Sequence, residues 1–141
     1  MIKRNRILVA VSIVTAFLAL GLFADEFVKL PGINAEDQHA RGCIDCHTRS
    51  GDSDYRLNTT LEEMSGHPPI DASVKVVPTD CTMCHKAGLS AAALSTITHK
   101  SHYQNPSENG FVNYYQGQCL ECHRLNVSTG AMSVKNGPKN W

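Results

Sequence analysis

The sequence predicts a mostly irregular domain with a few short α-helices and little or no β-structure. Three observations predict it. Beyond residue 24, Leu, Ile, Val, Phe, Met and Trp account for only 24 of 117 residues, a thin supply for a core made of protein alone. No segment sustains the alternation of a strand, and the helical signals are short. The pattern Cys-x-x-Cys-His occurs three times, as Cys43-Ile44-Asp45-Cys46-His47, Cys81-Thr82-Met83-Cys84-His85 and Cys119-Leu120-Glu121-Cys122-His123, and it takes up all six cysteines.

The chain opens with Lys3, Arg4 and Arg6, then runs without a charge from Ile7 to Ala24 before Asp25 and Glu26. That is an export signal, and its apolar run also reaches the length that can span a bilayer. Residues 1–24 are therefore expected to be a signal peptide cleaved near Ala24 or an N-terminal membrane anchor, with residues 25–141 forming one small domain. The compartment is expected to be periplasmic. All 13 acidic residues lie beyond position 24 and only 10 of the 13 basic ones, so this domain carries −3. A partner with a basic patch is the complement, and no basic stripe suggests nucleic acid.

Residues 25–34, with Pro31-Gly32, read as an irregular arm. Residues 35–41 could form a short helix running into the first motif and stopped by Gly42. Residues 50–58 read as loop. Thr60-Leu61-Glu62-Glu63 is a capping-box pattern that opens a helical turn or two ending by Gly66. Residues 70–79 are extended and bounded by prolines. The best helix is Leu89 to about Tyr103, capped by Ser90, favoured by Ala91-Ala92-Ala93 and stopped by Asn105-Pro106. Residues 107–118 and 124–141 read as loop, with one helical turn at the third motif. The motifs start at 43, 81 and 119, an even spacing of 38, yet little else matches at that offset, so a triplicated unit is unsupported.

Cys-x-x-Cys-His is the attachment signal for c-type haem: two thiols add across the two vinyl groups of the porphyrin and the histidine ligates the iron. Cys43 with Cys46, Cys81 with Cys84, and Cys119 with Cys122 are the expected covalent anchors of three haem c groups. His47, His85 and His123 are the proximal iron ligands. A zinc ribbon would have no need of the trailing histidines, and thiols three residues apart pair poorly as disulfides. Three porphyrins also supply the apolar surface that the chain lacks, so the apo-protein should be largely unfolded.

Four histidines remain for three sixth ligands: His39, His67, His99 and His102. His99 and His102 lie at i, i+3 on the best helix, so they can serve two haems and hold them close together. His67 precedes Pro68-Pro69, which limits its backbone and suits a ligand arriving at a fixed angle. His39 either covers the first haem from its own entry segment or is the spare. Met64 and Met132 are possible sulfur ligands, which the four histidines make unnecessary, and Met83 is held inside the second motif. Tyr103, Tyr114 and Tyr115 are read as packing against porphyrin faces. Two histidines per iron leave no open position, and without methionine the potentials should be low.

The three motifs, His39 just before the first, and the His99-Lys100-x-His102 pair upstream of the third resemble the small multihaem c-type cytochromes of anaerobic respiration. These include the three-haem c7 type, the cytochrome c3 family, and the small tetrahaem cytochromes with the related haem domains of flavocytochrome c fumarate reductases. The likeness covers roughly residues 35–125; three motifs stand where the last group usually has four, and the spacing of 38 is wider than in the c7 type. The resemblance implies a small haem-packed domain that relays electrons and is not itself an enzyme. Its partners would be other redox proteins: cytochromes, a flavoprotein reductase, or a quinol-oxidising donor if the N-terminal segment anchors the chain. Two other readings are a haem enzyme with one open iron reducing a small molecule, and a membrane-anchored quinol-to-cytochrome donor.

Overall fold

The computed structural model describes residues 27–141; the expected export signal or anchor at 1–24 lies outside them. Among the described residues no helix is long and apolar enough to cross a membrane. Short helices span Cys43–Cys46, Leu57–Glu62, Leu94–Tyr103 and Gly110–Tyr115. Tight 3-10 turns span Asp80–Met83 and Cys119–Glu121. Each Cys-x-x-Cys-His motif thus begins on a helical turn, which brings its two thiols to one side of the backbone.

Strands are present but only two or three residues long. β1 (Arg49–Ser50) pairs with β2 (Ser53–Asp54), β3 (Val76–Val77) with β6 (Gly137–Pro138), and β4 (His123–Leu125) with β5 (Met132–Val134), all antiparallel. Periodicity cannot show strands this short. Several expected elements are corrected accordingly. Residues 50–58, expected as loop, hold the Arg49–Asp54 hairpin, turned at Gly51 (φ +58°), and the start of a helix. Residues 107–118 hold the Gly110–Tyr115 helix, capped by Asn109, whose side chain accepts from the Phe111 N–H. Residues 35–41 form turns and no helix.

Two helix starts also differ from expectation. The Leu57–Glu62 helix begins before the Thr60 capping box: Asp54 accepts from the Arg56 N–H and side chain ahead of the first turn, and the Thr60 hydroxyl donates back to the Arg56 carbonyl. The long helix begins at Leu94, leaving the alanine run outside it. His85 is the cause: its carbonyl accepts from the Leu94 N–H and its Nδ1 bonds the Ala92 carbonyl, which holds residues 92–93 extended against their helix propensity.

The core is small. Ile44, Ile70, Val74 and Val77 form one buried cluster, flanked by Cys43, Leu57, Leu61, Cys81 and Trp141. It lies between the first two motifs, so motif residues are themselves core residues. The C-terminal stretch, expected as loop, closes it. The Asn140 amide donates to the carbonyls of Ile44 and His47, both at 2.9 Å, and Lys139 N–H donates to the Lys75 carbonyl. Gly137 presses against the first motif so closely that a Cβ there would sit 2.7 Å from Ile44 Cδ1 and 2.8 Å from Arg41 Cβ. Gly137→Ala should therefore cost about 1–3 kcal/mol in denaturant unfolding, the scale of overpacking.

Asp80 pins the approach to the second motif. Its carboxylate accepts from the N–H groups of Val76 and Lys75, at 2.8 and 2.7 Å, and these bonds hold it below the usual carboxylate range. A depressed carboxyl stabilises the fold above the unfolded value of about 3.9 and loses that contribution as pH falls through the folded value. The melting temperature of Asp80→Asn should accordingly lie below that of the parent at neutral pH, and the gap should narrow on acidification below about pH 4.

Candidate metal centres

None of the six cysteines is paired in a disulfide. Burial pushes Cys43 and Cys46 up to about 11, with the nearby Cys122 thiol adding to both. Cys81 and Cys122 are raised too, chiefly by burial. The segments flanking the first and third motifs also meet, since Arg124 donates to the Ala40 carbonyl and Lys135 lies against Gly42.

Each motif histidine faces one other histidine. The rings of His67 and His85 are 6.0 Å apart between centres and nearly parallel, at 8°. Those of His99 and His123 are 6.1 Å apart at 14°, and those of His47 and His102 are 6.1 Å apart at 84°. Direct aromatic stacking does not require this separation. Two imidazole nitrogens about 2 Å from one metal, each about 1.1 Å from its ring centre, place the centres about 6.2 Å apart. The residues therefore fit an iron held between two imidazoles, three times over.

The outer nitrogens are arranged to match. Nδ1 of His47 lies 3.2 Å from the Tyr55 carbonyl, and Nδ1 of His85 and His67 lie 2.9 Å from the carbonyls of Ala92 and Pro68. Nδ1 of His102 lies 2.9 Å from the Thr98 carbonyl, one helical turn back. A carbonyl can only accept, so in these four rings Nδ1 carries the proton and Nε2 keeps its lone pair for a metal. Burial pushes His47 below the ordinary histidine range, which keeps the ring neutral at pH 7.

The Leu94–Tyr103 helix supplies His99 and His102 to two different motifs, the third and the first. Phe111 stands edge-on to the His102 ring, at 5.3 Å, and also against Tyr103 and Tyr115. Sequence reasoning missed Phe111 because its segment read as loop; the signal within reach was Asn109 ahead of Gly110-Phe111-Val112, a helix cap. Tyr103 is occupied by a hydrogen bond to the Gly117 carbonyl and Tyr115 by ring contacts, while Tyr114 is 84% exposed. The methionines at 64, 83 and 132 are exposed.

His39 is placed differently. Its Nδ1 bonds the Glu121 carboxylate, and its ring stands edge-on to Tyr115 at 5.5 Å. Among the described residues no group of three or more His, Cys, Asp and Glu side chains gathers to hold a bare metal ion. A haem iron takes four nitrogens from its porphyrin and asks the chain for two more. Comparison with protein-family models, with curated proteins and with solved structures gives no match for this chain.

Proposed function

We propose that this is an exported electron-transfer protein carrying three covalently bound c-type haems, each iron held between two histidines. The pairs are His47 with His102, His85 with His67, and His123 with His99. The single observation that carries the reading is the facing of every motif histidine by one other imidazole at 6.0–6.1 Å. Haem supplies the one-electron couple. The chain would supply two imidazoles to each iron, and backbone carbonyls fix the tautomer of four of them, His47, His67, His85 and His102, with Nε2 left free for the metal. What remains is to accept electrons and pass them on, at the low potentials that two imidazoles favour.

His39 is the spare histidine in this reading, and Glu121 holds it. The shared helix keeps the first and third sites side by side, since residues three apart on a helix have neighbouring side chains. A surface carrying −3 beyond residue 24 suits redox partners with a basic patch, among them cytochromes, a flavoprotein reductase or a quinol-oxidising donor.

Haem content tests this first. Alkaline pyridine spectra and the intact mass of the purified protein should give three covalent haems per chain; fewer than three would remove at least one site. The ring planes give a second check. Parallel imidazoles donate into one iron d orbital and split the pair, whereas perpendicular ones donate into both and leave them nearly equal. The oxidised protein should thus show two rhombic low-spin resonances and one highly anisotropic signal, the last disappearing when His102 is replaced.

A further inference from the structure

We infer that Lys135 sets the reduction potential of the third site, with Asp37 as its counterweight. The inference rests on the three-haem reading. Lys135 is the one charged residue that this small protein buries almost completely among the described residues, at 2% exposure. Its ammonium donates to the Leu120 carbonyl at 2.6 Å and approaches the Glu121 carbonyl at 3.5 Å, both within the Cys119–His123 motif. Its backbone N–H donates to the Cys122 carbonyl at 2.9 Å. The charge is therefore fastened to the loop that carries two thioether anchors and a proximal ligand, away from the solvent that would screen it.

A buried lysine could be only a staple for the C-terminal tail, yet an apolar side chain would fill the same space at lower desolvation cost. The charge has an electrostatic consequence wherever it sits. A site that gains an electron loses one unit of positive charge, so a nearby buried cation favours the reduced form and a buried anion the oxidised form. Lys135 thus raises the potential of the third site. Asp37, whose carboxylate lies 2.6 Å from the ammonium and is 18% exposed, offsets part of that rise. Asp37 also accepts from the His39 N–H, so it is fixed from two sides. Lys135 meets the first motif's flank only through its Cβ and backbone at Gly42, while its ammonium bonds the third motif, and no other ammonium is buried among the described residues, so the third site is the one whose potential this charge raises most.

The test is a redox titration of the full-length holoprotein followed by NMR, with haem methyl resonances assigned to each site. Lys135→Met should shift the third site's reduction equilibrium severalfold toward the oxidised form and leave the other two nearly unmoved. Asp37→Asn, which keeps the accepting oxygen and the fold, should shift the same site the opposite way. Lys135→Arg should restore the parent value, and the double variant Lys135→Met/Asp37→Asn should lie near it. A purely structural role predicts equal-sign shifts, or none, for Lys135→Met and Asp37→Asn. Either result overturns the inference, as does Asp37→Asn shifting alone in the wrong direction should Lys135→Met fail to fold. Protein that purifies without covalent haem overturns the three-haem reading and the inference together; three haems with an unmoved third site overturn the inference alone.

Discussion

Replacing Cys43 and Cys46 together by alanine is expected to abolish cooperative unfolding of the whole domain, not merely to remove one chromophore. The buried apolar side chains among the described residues are five, Ile44, Ile70, Val74, Val77 and Leu120. Ile44 lies between these two cysteines and is 1% exposed, while Cys43 packs against the same cluster. In the three-haem reading a porphyrin fastened there would add apolar surface beside a cluster of only four buried side chains, so its loss would remove packing next to the centre. Thermal melts followed by far-UV circular dichroism should show a broad, non-cooperative decay for this variant. Ile44→Ala, which keeps all three attachment signals, should lower stability by about 2–5 kcal/mol and still melt cooperatively. A sharp melt in the cysteine variant would show that the polypeptide core suffices.

The second large effect is expected from the distal histidines. His102→Ala removes the imidazole opposite His47 and should open one iron in three to carbon monoxide, converting about a third of the reduced haem absorbance. His99→Ala should do the same at the third motif and His67→Ala at the second. His39→Ala should open none, because His39 faces Glu121 and Tyr115 and no motif histidine. The contrast between His102 and His39 is decisive because both are histidines close to a motif. Phe111→Ala removes an edge contact to the His102 ring but not the ring itself, so the reduced spectrum should still be unchanged by carbon monoxide.

The attachment signals are legible in the sequence because they are local: two thiols and a histidine within five residues carry their own geometry. The pairing of the remaining histidines is not local. His102 meets His47 from 55 positions away and His99 meets His123 from 24, through the orientation of one helix that neither motif encodes. That helix illustrates the limit in miniature. Ala91-Ala92-Ala93 has strong helix propensity, yet His85 holds the carbonyl of Ala92 and the N–H of Leu94, so tertiary bonds override it.

The C-terminal stretch was illegible for another reason. β6 is two residues long and pairs with Val76–Val77, some sixty positions earlier, so no periodicity announces it. Asn140 and Lys135 look like ordinary surface residues until their partners, the carbonyls of Ile44, His47 and Leu120, are brought beside them. His39 is a residue whose role the sequence leaves open, as cover for the first haem or as the spare. Its position only four residues before Cys43 makes it the weakest of the four candidates, and in the structure its ring bonds the Glu121 carboxylate.

The central claim is that each of three irons has both axial positions filled by histidine. The visible spectrum of the dithionite-reduced protein, recorded before and after carbon monoxide, tests it most directly. The account predicts an unchanged spectrum, since no iron offers a free position. A spectrum that shifts on adding the gas would mean that at least one of the three facing imidazole pairs does not close on an iron, and would contradict it.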